Sequence, residues 1–389
     1  MSNDKREGAE VPPDRDPTWV GWVQAQLLEW YQLAGRRLPW RGDRDPYRVL
    51  VSELMLVQTT VAAVVPHFQR FLRRFPDVWA LAAAEEGEVL KVWEGLGYYR
   101  RARQLHLAAR QIVERYGGLI PPDRAAIREL PGVGRYISGA VLSLAFDLPE
   151  PILEANSARV LARLLGWRQE LGSTASRKRL WEAASRLVPG KGSGAFNSAL
   201  MDLGSLVCTP RNPRCLLCPV ASACQARRLG LQDELPPASS RPPMGIGTEM
   251  STLIRWQDRV LLVQRAPSLG LWAGLWEFPT VGLTGANPAG RERGDPSKLE
   301  RAFKRTVGIR IAVGPEVFRF KYTVTRYRLE LRAHLAARLG GEVRLGRGLV
   351  RGEWVKAAEL ERFPLGGPAR RIARWMTQTG GHLEGPWSD

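Results

Sequence analysis

Residues 130–136 read Leu-Pro-Gly-Val-Gly-Arg-Tyr, and the first five of them lie between two segments, 123–129 and 135–145, whose apolar residues recur at helical spacing. Gly132 and Gly134 let the backbone turn tightly and leave its amide groups accessible. Amides at the N-terminus of a helix, together with the helix dipole, can bind a phosphate group. The stretch therefore predicts two helices joined by a short turn, with Gly132, Val133 and Gly134 as candidate phosphate ligands.

The helical pattern extends outward from this turn over residues 17–230. Asp16-Pro17 and Asp45-Pro46 each combine a helix N-cap with a proline in the first turn. Further segments with helical spacing are 80–93, 102–116 and 157–165.

The pattern changes after residues 231–247, LQDELPPASSRPPMGIG, which are rich in Pro, Ser and Gly and indicate a linker. Beyond the linker the sequence predicts short strands and one helix, 297–307. We therefore expect a helical N-terminal region joined to a smaller α+β domain. The predicted strands are 252–256, 260–264, 317–322 and 326–333.

The chain has 389 residues, with 57 Lys+Arg against 39 Asp+Glu. Residues 17–230 carry 29 cationic and 18 acidic side chains, and residues 248–389 carry 24 and 14. Two separately basic regions predict a polyanionic partner, above all nucleic acid. Hydrophobic residues make up 44% of the chain, which excludes a disordered protein. Because no apolar run approaches ~18 residues and residues 1–16 form a polar tail, we expect a soluble, cytoplasmic protein.

The four cysteines, Cys208, Cys215, Cys218 and Cys224, all lie within 17 residues. A disulfide framework is not expected in a cytoplasmic chain of this length. Four thiolates so close in sequence fit a tetrahedral metal site or a 4Fe–4S cluster. Zinc is the alternative, but its sites usually contain two C-x2-C pairs, whereas the C-x6-C-x2-C-x5-C intervals here are uneven. The spacing predicts an iron–sulfur cluster.

Glu53 lies inside VLVSELMLVQTTVAAVV, residues 49–65, the most apolar helical stretch of the chain. A lone carboxyl in such surroundings is costly when ionised, so its pKa should be raised toward neutrality. A glutamic acid that is protonated at pH 7 can act as a general acid on a departing base. The alternative is a glutamate in the first helical turn whose carboxyl reaches solvent.

Together, these stretches resemble a group of DNA repair enzymes. The hairpin and the cysteine array resemble those of the endonuclease III superfamily of DNA glycosylases. Residues 38–60, LPWRGDRDPYRVLVSELMLVQTT, resemble the MutY family of adenine DNA glycosylases, as do 94–99 and 196–208. The resemblance implies an all-α helix-hairpin-helix glycosylase domain followed by a smaller α+β Nudix-like domain. The expected boundaries are a tail at 1–16, a glycosylase domain at 17–230 with its cluster loop at 208–224, a linker at 231–247 and a Nudix-like domain at 248–389.

The resemblance also implies roles for two carboxyl groups and a tyrosine. Glu53 would protonate the adenine. Lyase members of the superfamily carry a nucleophilic Lys where this chain has Tyr136, so no Schiff base and no strand cleavage are expected. Tyr136 would instead orient groups near the sugar. Glu154 replaces the family's usual Asp and would stabilise the cationic sugar, as a second carboxylate does in glycosidases.

A stacked adenine must be flipped out of the duplex before it can react. By resemblance, Trp40 and Arg41 would line the base pocket, while Gln58, Thr59 and Tyr98 would fill or wedge the vacated stack. Val57 and Ser198 depart from the family pattern, which usually has Gln at the first position and Glu or Gln at the second.

Residues 270–279, GLWAGLWEFP, resemble the Nudix-like domain of MutY proteins. A working Nudix hydrolase needs several Glu residues on one helix to hold Mg²⁺. The corresponding stretch, 299–305, contains a single acid, so pyrophosphatase activity is not expected. In the family this domain reads 8-oxoguanine with a Phe-Ser/Thr-His loop. Its best match is Val-Thr-Arg at 324–326, which makes Thr325 the candidate lesion contact.

The expected function is therefore removal of adenine mispaired with 8-oxoguanine or guanine in double-stranded DNA, by a monofunctional glycosylase that carries a 4Fe–4S cluster. We expect a monomer without membrane contact, associated with the nucleoid. One alternative is a thymine or other mismatch glycosylase, since some relatives also carry Tyr at the lyase position. Another is a non-catalytic iron–sulfur DNA-binding protein, if Glu154 and Ser198 mark a degraded site.

Overall fold

The computed structural model describes residues 13–239, 243–282 and 296–378, which form two compact units. The first, here called the helical unit, contains residues 13–82 and 107–239. The second, the sheet unit, contains residues 83–106 together with the described residues from 243 onward. None of the described helices is long and apolar enough to cross a membrane.

The Asp-Pro pairs begin helices, as the sequence predicts. Asp16 accepts a hydrogen bond from the Thr18 N–H at 2.9 Å, and Asp45 accepts one from the Tyr47 N–H at 2.8 Å. Helix α6 contributes to both units and α5 belongs to the sheet unit. The helices through residue 228 are α1 (Pro17–Ala34), α2 (Pro46–Leu56), α3 (Val61–Arg74), α4 (Val78–Ala82), α5 (Glu86–Val92), α6 (Arg100–Tyr116), α7 (Arg124–Arg128), α8 (Arg135–Phe146), α9 (Ala155–Leu164), α10 (Thr174–Leu187), α11 (Ser193–Leu206) and α12 (Gln225–Arg228).

The predicted helix over 80–93 is wrong in detail, because the chain breaks between α4 and α5. Glu85 adopts an extended conformation and starts a new helix. Glu86 and Glu88 then lie in the first turn of α5, where the helix dipole favours negative charge. The alanine-rich sequence conceals the break, since alanine is compatible with a continuous helix.

Close packing at two glycines brings the elements of the helical unit together. A Cβ on Gly139 of α8 would lie 2.3 Å from the carbonyl oxygen of Pro151. A Cβ on Gly204 of α11 would lie 2.6 Å from the Cβ of Asn156. Only glycine permits these approaches, and they seat the start of α9 against both α8 and α11.

The sheet unit is built on a seven-stranded mixed sheet with the order β3-β2-β1-β6-β5, in which β4 also pairs with β1 and β7 with β2. Strands β1 and β6 are parallel, whereas the other pairs are antiparallel. The elements are β1 (Gly245–Trp256), β2 (Arg259–Arg265), β3 (Trp276–Glu277), β4 (Thr280–Gly282), α13 (Pro296–Val307), β5 (Arg310–Val324), β6 (Tyr327–Gly340), β7 (Leu349–Lys356) and α14 (Gly367–Gln378).

Both faces of this sheet are covered, because successive residues of its strands point in opposite directions. Leu253 and Leu262 pack in the core that contains α14, whereas Ile254 and Leu261 pack in the core that contains α13. Helix α13 agrees with the predicted 297–307, but α14 is an addition. Strands β5 and β6 are longer than predicted, since irregular pairing between Val313 and Phe318 interrupts the alternation of β5.

Candidate functional site

A cavity of about 590 Å³ opens in the helical unit where several elements meet. Its volume lies within the ~300–1,000 Å³ typical of small-molecule sites. Seven of the candidate site residues line it together, although they come from distant parts of the sequence. They are Trp40, Arg41, Glu53, Gln58, Thr59, Tyr136 and Glu154.

Glu53 and Tyr136 form the centre of this cavity. Glu53 lies on α2 and is 1% exposed, and its Oε2 accepts a 2.6 Å hydrogen bond from the Tyr136 hydroxyl of α8. Burial raises the pKa of Glu53 from 4.5 to about 7, although the Tyr136 hydrogen bond and the Arg41 charge each lower it. The pKa of Tyr136 is raised well above 10 by burial and by the carboxyl groups beside it, so its hydroxyl remains a donor. A large fraction of Glu53 is therefore protonated at neutral pH.

Glu154 is the N-cap of α9, and its carboxylate is held by backbone amides. Oε1 accepts a 2.7 Å hydrogen bond from the Ser157 N–H, and Oε2 accepts one of 2.8 Å from the Asn156 N–H. The Asn156 side chain donates a third, at 3.2 Å. Amide donors at a helix N-terminus favour a negatively charged carboxylate. The cavity thus has a buried, partly protonated carboxyl on one wall and an amide-bound carboxylate on another.

The far wall contains two guanidinium groups, those of Arg36 and Arg41. Both bind the carboxylate of Asp202, which lies on α11 behind the wall. Sequence reasoning missed Arg36 and Asp202, since 166 residues separate them and no local pattern joins them. Ser198, one of the two residues that depart from the family pattern, is buried nearby. With Trp40 and Arg41 it lines a separate cavity of about 120 Å³.

Two of the candidate wedge residues have unusual backbone conformations. Gln58 and Tyr98 adopt φ angles of +58° and +48°, in the left-handed region that non-glycine residues seldom occupy. Gln58 is exposed at the rim of the cavity, while Tyr98 is 50% exposed and belongs to the sheet unit. Such strained, exposed side chains are frequent at functional sites.

The predicted turn joins α7 to α8 through Gly132, whose φ is +81°. Val133 is buried, and Gly134 is the N-cap of α8 but has no side chain that could cap it. A Cβ on Gly134 would have no neighbour within 4 Å, so the space in front of the first turn is open. This geometry suits an anion at the N-terminus of α8.

The four cysteines follow α11 and line one small cavity together with Arg163 of α9. Burial raises the pKa of the Cys218 thiol to about 12 and also raises those of Cys215 and Cys224. Such clustered, buried thiols become thiolates most readily when a metal binds them. In the described part of the chain, no set of His, Cys, Asp and Glu side chains forms a site for a single metal ion. The donor set suits a cluster whose four irons each take one thiolate.

In the sheet unit, Thr325 lies at the tip of the β5–β6 hairpin, exposed and with a φ of +50°. Glu300 of α13 accepts a hydrogen bond from the Val313 N–H at 3.1 Å and so serves the packing of α13 on β5. The described part of α13 offers no second acid beside it.

Both parts of the chain match known protein families. The profile of HhH-GPD superfamily base excision DNA repair proteins matches residues 51–186, and that of the NUDIX domain matches residues 250–375. An adenine DNA glycosylase of Homo sapiens is 37% identical over 321 residues, which cover 69% of this chain and 59% of its own. One of Buchnera aphidicola subsp. Schizaphis graminum is 34% identical, with 65% of this chain and 73% of its own covered. A thymine-DNA glycosylase of Aeropyrum pernix is 40% identical, with coverages of 52% and 92%.

The chain belongs to the adenine DNA glycosylase family, also called the MutY family, of the helix-hairpin-helix base excision repair proteins. The predictions of a helical glycosylase fold and a Nudix-like second domain are thereby confirmed. The chain spans about three fifths of the length of the mammalian relatives that it matches.

Proposed function

We propose that this protein is a monofunctional DNA glycosylase that hydrolyses the N-glycosidic bond of adenine mispaired with 8-oxoguanine or guanine in double-stranded DNA. The observation that carries the proposal is the hydrogen bond between Tyr136 and Glu53 inside the cavity. A buried carboxyl with a pKa of about 7 can donate a proton to a departing base at neutral pH. The adenine DNA glycosylases among the relatives support adenine as that base.

The reaction follows from the two carboxyl groups. The flipped adenine enters the cavity and Glu53 protonates a ring nitrogen, so that the electron pair of the breaking C–N bond leaves with the base. Positive charge then develops on the sugar, and the carboxylate of Glu154 stabilises it. Water completes the hydrolysis, either directly or after Glu154 has bonded to the anomeric carbon. Tyr136 holds the Glu53 carboxyl in position and offers no amine for an imine, which limits the enzyme to base removal.

The cluster loop contributes structure rather than catalysis. Cys208, Cys215, Cys218 and Cys224 would hold a 4Fe–4S cluster, which when bound cross-links the segment that follows α11. The exposed Arg211 and Arg214 of this loop are available to contact phosphates.

DNA contacts are proposed for both units. The α7–α8 turn, with Gly132, Val133 and Gly134, would bind a backbone phosphate. Gln58, Thr59 and Tyr98 would occupy the space that the flipped base leaves. Thr325 would contact the 8-oxoguanine opposite the adenine. We propose that the protein acts as a monomer in the cytoplasm, where it is associated with the nucleoid.

A second candidate is a thymine mismatch glycosylase, which the Aeropyrum pernix relative supports with 40% identity. That match, however, covers only 52% of this chain, and the chain also carries a NUDIX domain match at residues 250–375. A lesion-reading domain of this kind favours adenine opposite 8-oxoguanine.

The test is single-turnover base release from duplexes that contain A:8-oxoguanine, A:G or T:G, with Glu53→Gln as the inactive control. We expect adenine release from the first two duplexes and no strand cleavage without added alkali. Release from T:G alone would favour the second candidate, and release from none of them would refute the proposal. Trapping of a covalent adduct by borohydride would contradict the monofunctional assignment of Tyr136.

A further inference from the structure

Asp202 of α11 forms a buried ion cluster with Arg36 and Arg41. Its side chain is 0% exposed, and both carboxylate oxygens are bound by two arginines. Oδ1 accepts from Nε and Nη2 of Arg36, at 2.8 and 2.5 Å, and from Nη2 of Arg41 at 3.1 Å. Oδ2 accepts from the Arg36 N–H at 2.9 Å and from Nη1 of Arg41 at 2.8 Å. Five hydrogen bonds from two residues fix both guanidinium groups in one orientation.

These two arginines face the cavity, but Asp202 does not line it. Arg36 and Arg41 contribute to the same wall as Leu38 and Trp40, and their side chains are 24% and 11% exposed. Burial raises the pKa of Asp202, but the two guanidinium groups outweigh that effect and leave it lowered. Asp202 is therefore an anion that is hydrogen-bonded to two residues of the cavity wall, Arg36 and Arg41.

Asp202, Arg36 and Arg41 form a charged trio, of which Arg41 influences the Glu53 carboxyl. The groups that influence the Glu53 carboxyl are Tyr136 from α8, Arg41 from the segment before α2, and Glu154 from the start of α9. The neighbouring helix α3 contributes Val61 to the cavity wall. Among these groups, only Arg41 brings a positive charge, and a nearby cation favours the ionised carboxylate. Two arginines and one aspartate carry a net charge of +1, whereas the arginines alone would carry +2.

We propose that Asp202 is a positioning residue that holds Arg36 and Arg41 in the cavity wall and offsets one of their charges, so that Glu53 keeps its proton at neutral pH. This inference deepens the proposed glycosylase function and rests on it for its biological meaning. Asp202 touches no reacting atom. Its effect is on the protonation of the general acid, which can be measured without DNA.

The experiment is an infrared titration of the protonated Glu53 carboxyl in the full chain, taken as the difference between each protein and its Glu53→Gln version. In Asp202→Asn the midpoint should fall by about one pH unit, because an uncompensated guanidinium charge faces the carboxyl. Asp14→Asn is the matched control. Asp14 is also 0% exposed and bridges two arginines, Arg179 and Arg186, away from the cavity. Its substitution should lower the melting temperature without moving the Glu53 midpoint.

Two further variants keep the test decisive if Asp202→Asn folds poorly. Arg36→Gln removes one positive charge and should move the midpoint upward. The double variant Asp202→Asn/Arg36→Gln restores the net charge of the trio and should return the midpoint toward the wild-type value. Equal midpoints in the wild type and these variants would overturn the proposal and leave Asp202 a purely structural residue. If the infrared midpoints shift as expected but the wild type releases no adenine, the proposed function is refuted while the role of Asp202 stands.

Discussion

Tyr136 donates a 2.6 Å hydrogen bond to Oε2 of Glu53, across 83 residues of sequence. The bond joins a residue in the first turn of α8, just after the hairpin, to the buried acid of α2. A tyrosine that stays neutral can orient a carboxyl without taking its proton. In the proposed mechanism, Tyr136 thus orients the acid and, unlike a lysine at this position, supplies no nucleophilic amine.

The rate of base release should fall as pH rises through neutrality. In the proposed mechanism the protonated form of Glu53 is the active one, and its pKa is about 7. Above that pH the single-turnover rate on an A:8-oxoguanine duplex should therefore decrease about ten-fold per pH unit. Quenched-flow measurements across the range would show the slope. A rate that increases above pH 7 would exclude Glu53 as the general acid.

Glu53 should also lower the stability of the protein at high pH. Its pKa is about 7 when folded and 4.5 as the ordinary value, so the unfolded state releases the proton first as pH rises. The resulting decrease in the free energy of unfolding is absent below pH 4.5 and complete above about pH 7, where it reaches roughly 3 kcal/mol. Glu53→Gln should therefore raise the free energy of unfolding by up to roughly 3 kcal/mol at pH 8. At pH 4 the variant and the wild type should be almost equally stable.

Urea unfolding at the two pH values measures this difference. The exposed Glu29 of α1 provides the control, since Glu29→Gln should change little at either pH. Equal stability of Glu53→Gln and wild type at pH 8 would contradict the raised pKa.

A chain of hydrogen bonds through Arg159 connects the cysteine loop to Glu154. Its guanidinium donates to the Cys208 carbonyl at 2.9 Å, to the Gly204 carbonyl at 2.6 Å and to Oδ1 of Asn156 at 2.9 Å. Asn156 in turn donates to Glu154. Arg159→Gln should destabilise the protein by about 3 kcal/mol, because three buried or partly buried acceptors lose a charged donor. It should also lower both the iron content and the rate of base release.

Iron per chain, visible absorbance and single-turnover rate report these effects together. Arg319→Gln removes an exposed arginine that pairs with Glu316 in the sheet unit, and should leave all three unchanged. Full iron loading and a wild-type rate in Arg159→Gln would exclude the link.

Thr325 should determine the preference for A:8-oxoguanine over A:G rather than the maximal rate of base release. Loss of one hydrogen bond costs about 1 kcal/mol, so Thr325→Ala should reduce the preference for A:8-oxoguanine over A:G about five-fold. The maximal rate on A:G should stay the same. Thr323 is an exposed threonine near the end of β5, and Thr323→Ala serves as the control. An unchanged preference in Thr325→Ala would place lesion recognition elsewhere.

Local sequence patterns determined the main elements of this protein. The Asp-Pro pairs start α1 and α2, and the glycines around Val133 form the turn before α8. The cysteine spacing singled out the loop after α11. Such features were predictable because caps, turns and closely spaced ligands depend on residues near one another in the chain. The burial of Glu53 could be inferred for the same reason, since its neighbours on α2 are apolar.

Tertiary structure alone decided which distant residues meet. No local pattern indicates that Asp202 binds Arg36 and Arg41, or that residues 83–106 pack with the sheet unit. The same holds for Asp14, which the sequence assigned to a polar tail but which is buried between Arg179 and Arg186. Charge pairs of this kind form wherever folding brings opposite charges together and excludes water, and sequence separation carries no information about that event. The sequence around Glu53 makes this proposed general acid predictable, but the surroundings that influence its proton arise only when α2, α8, α9 and α11 have packed.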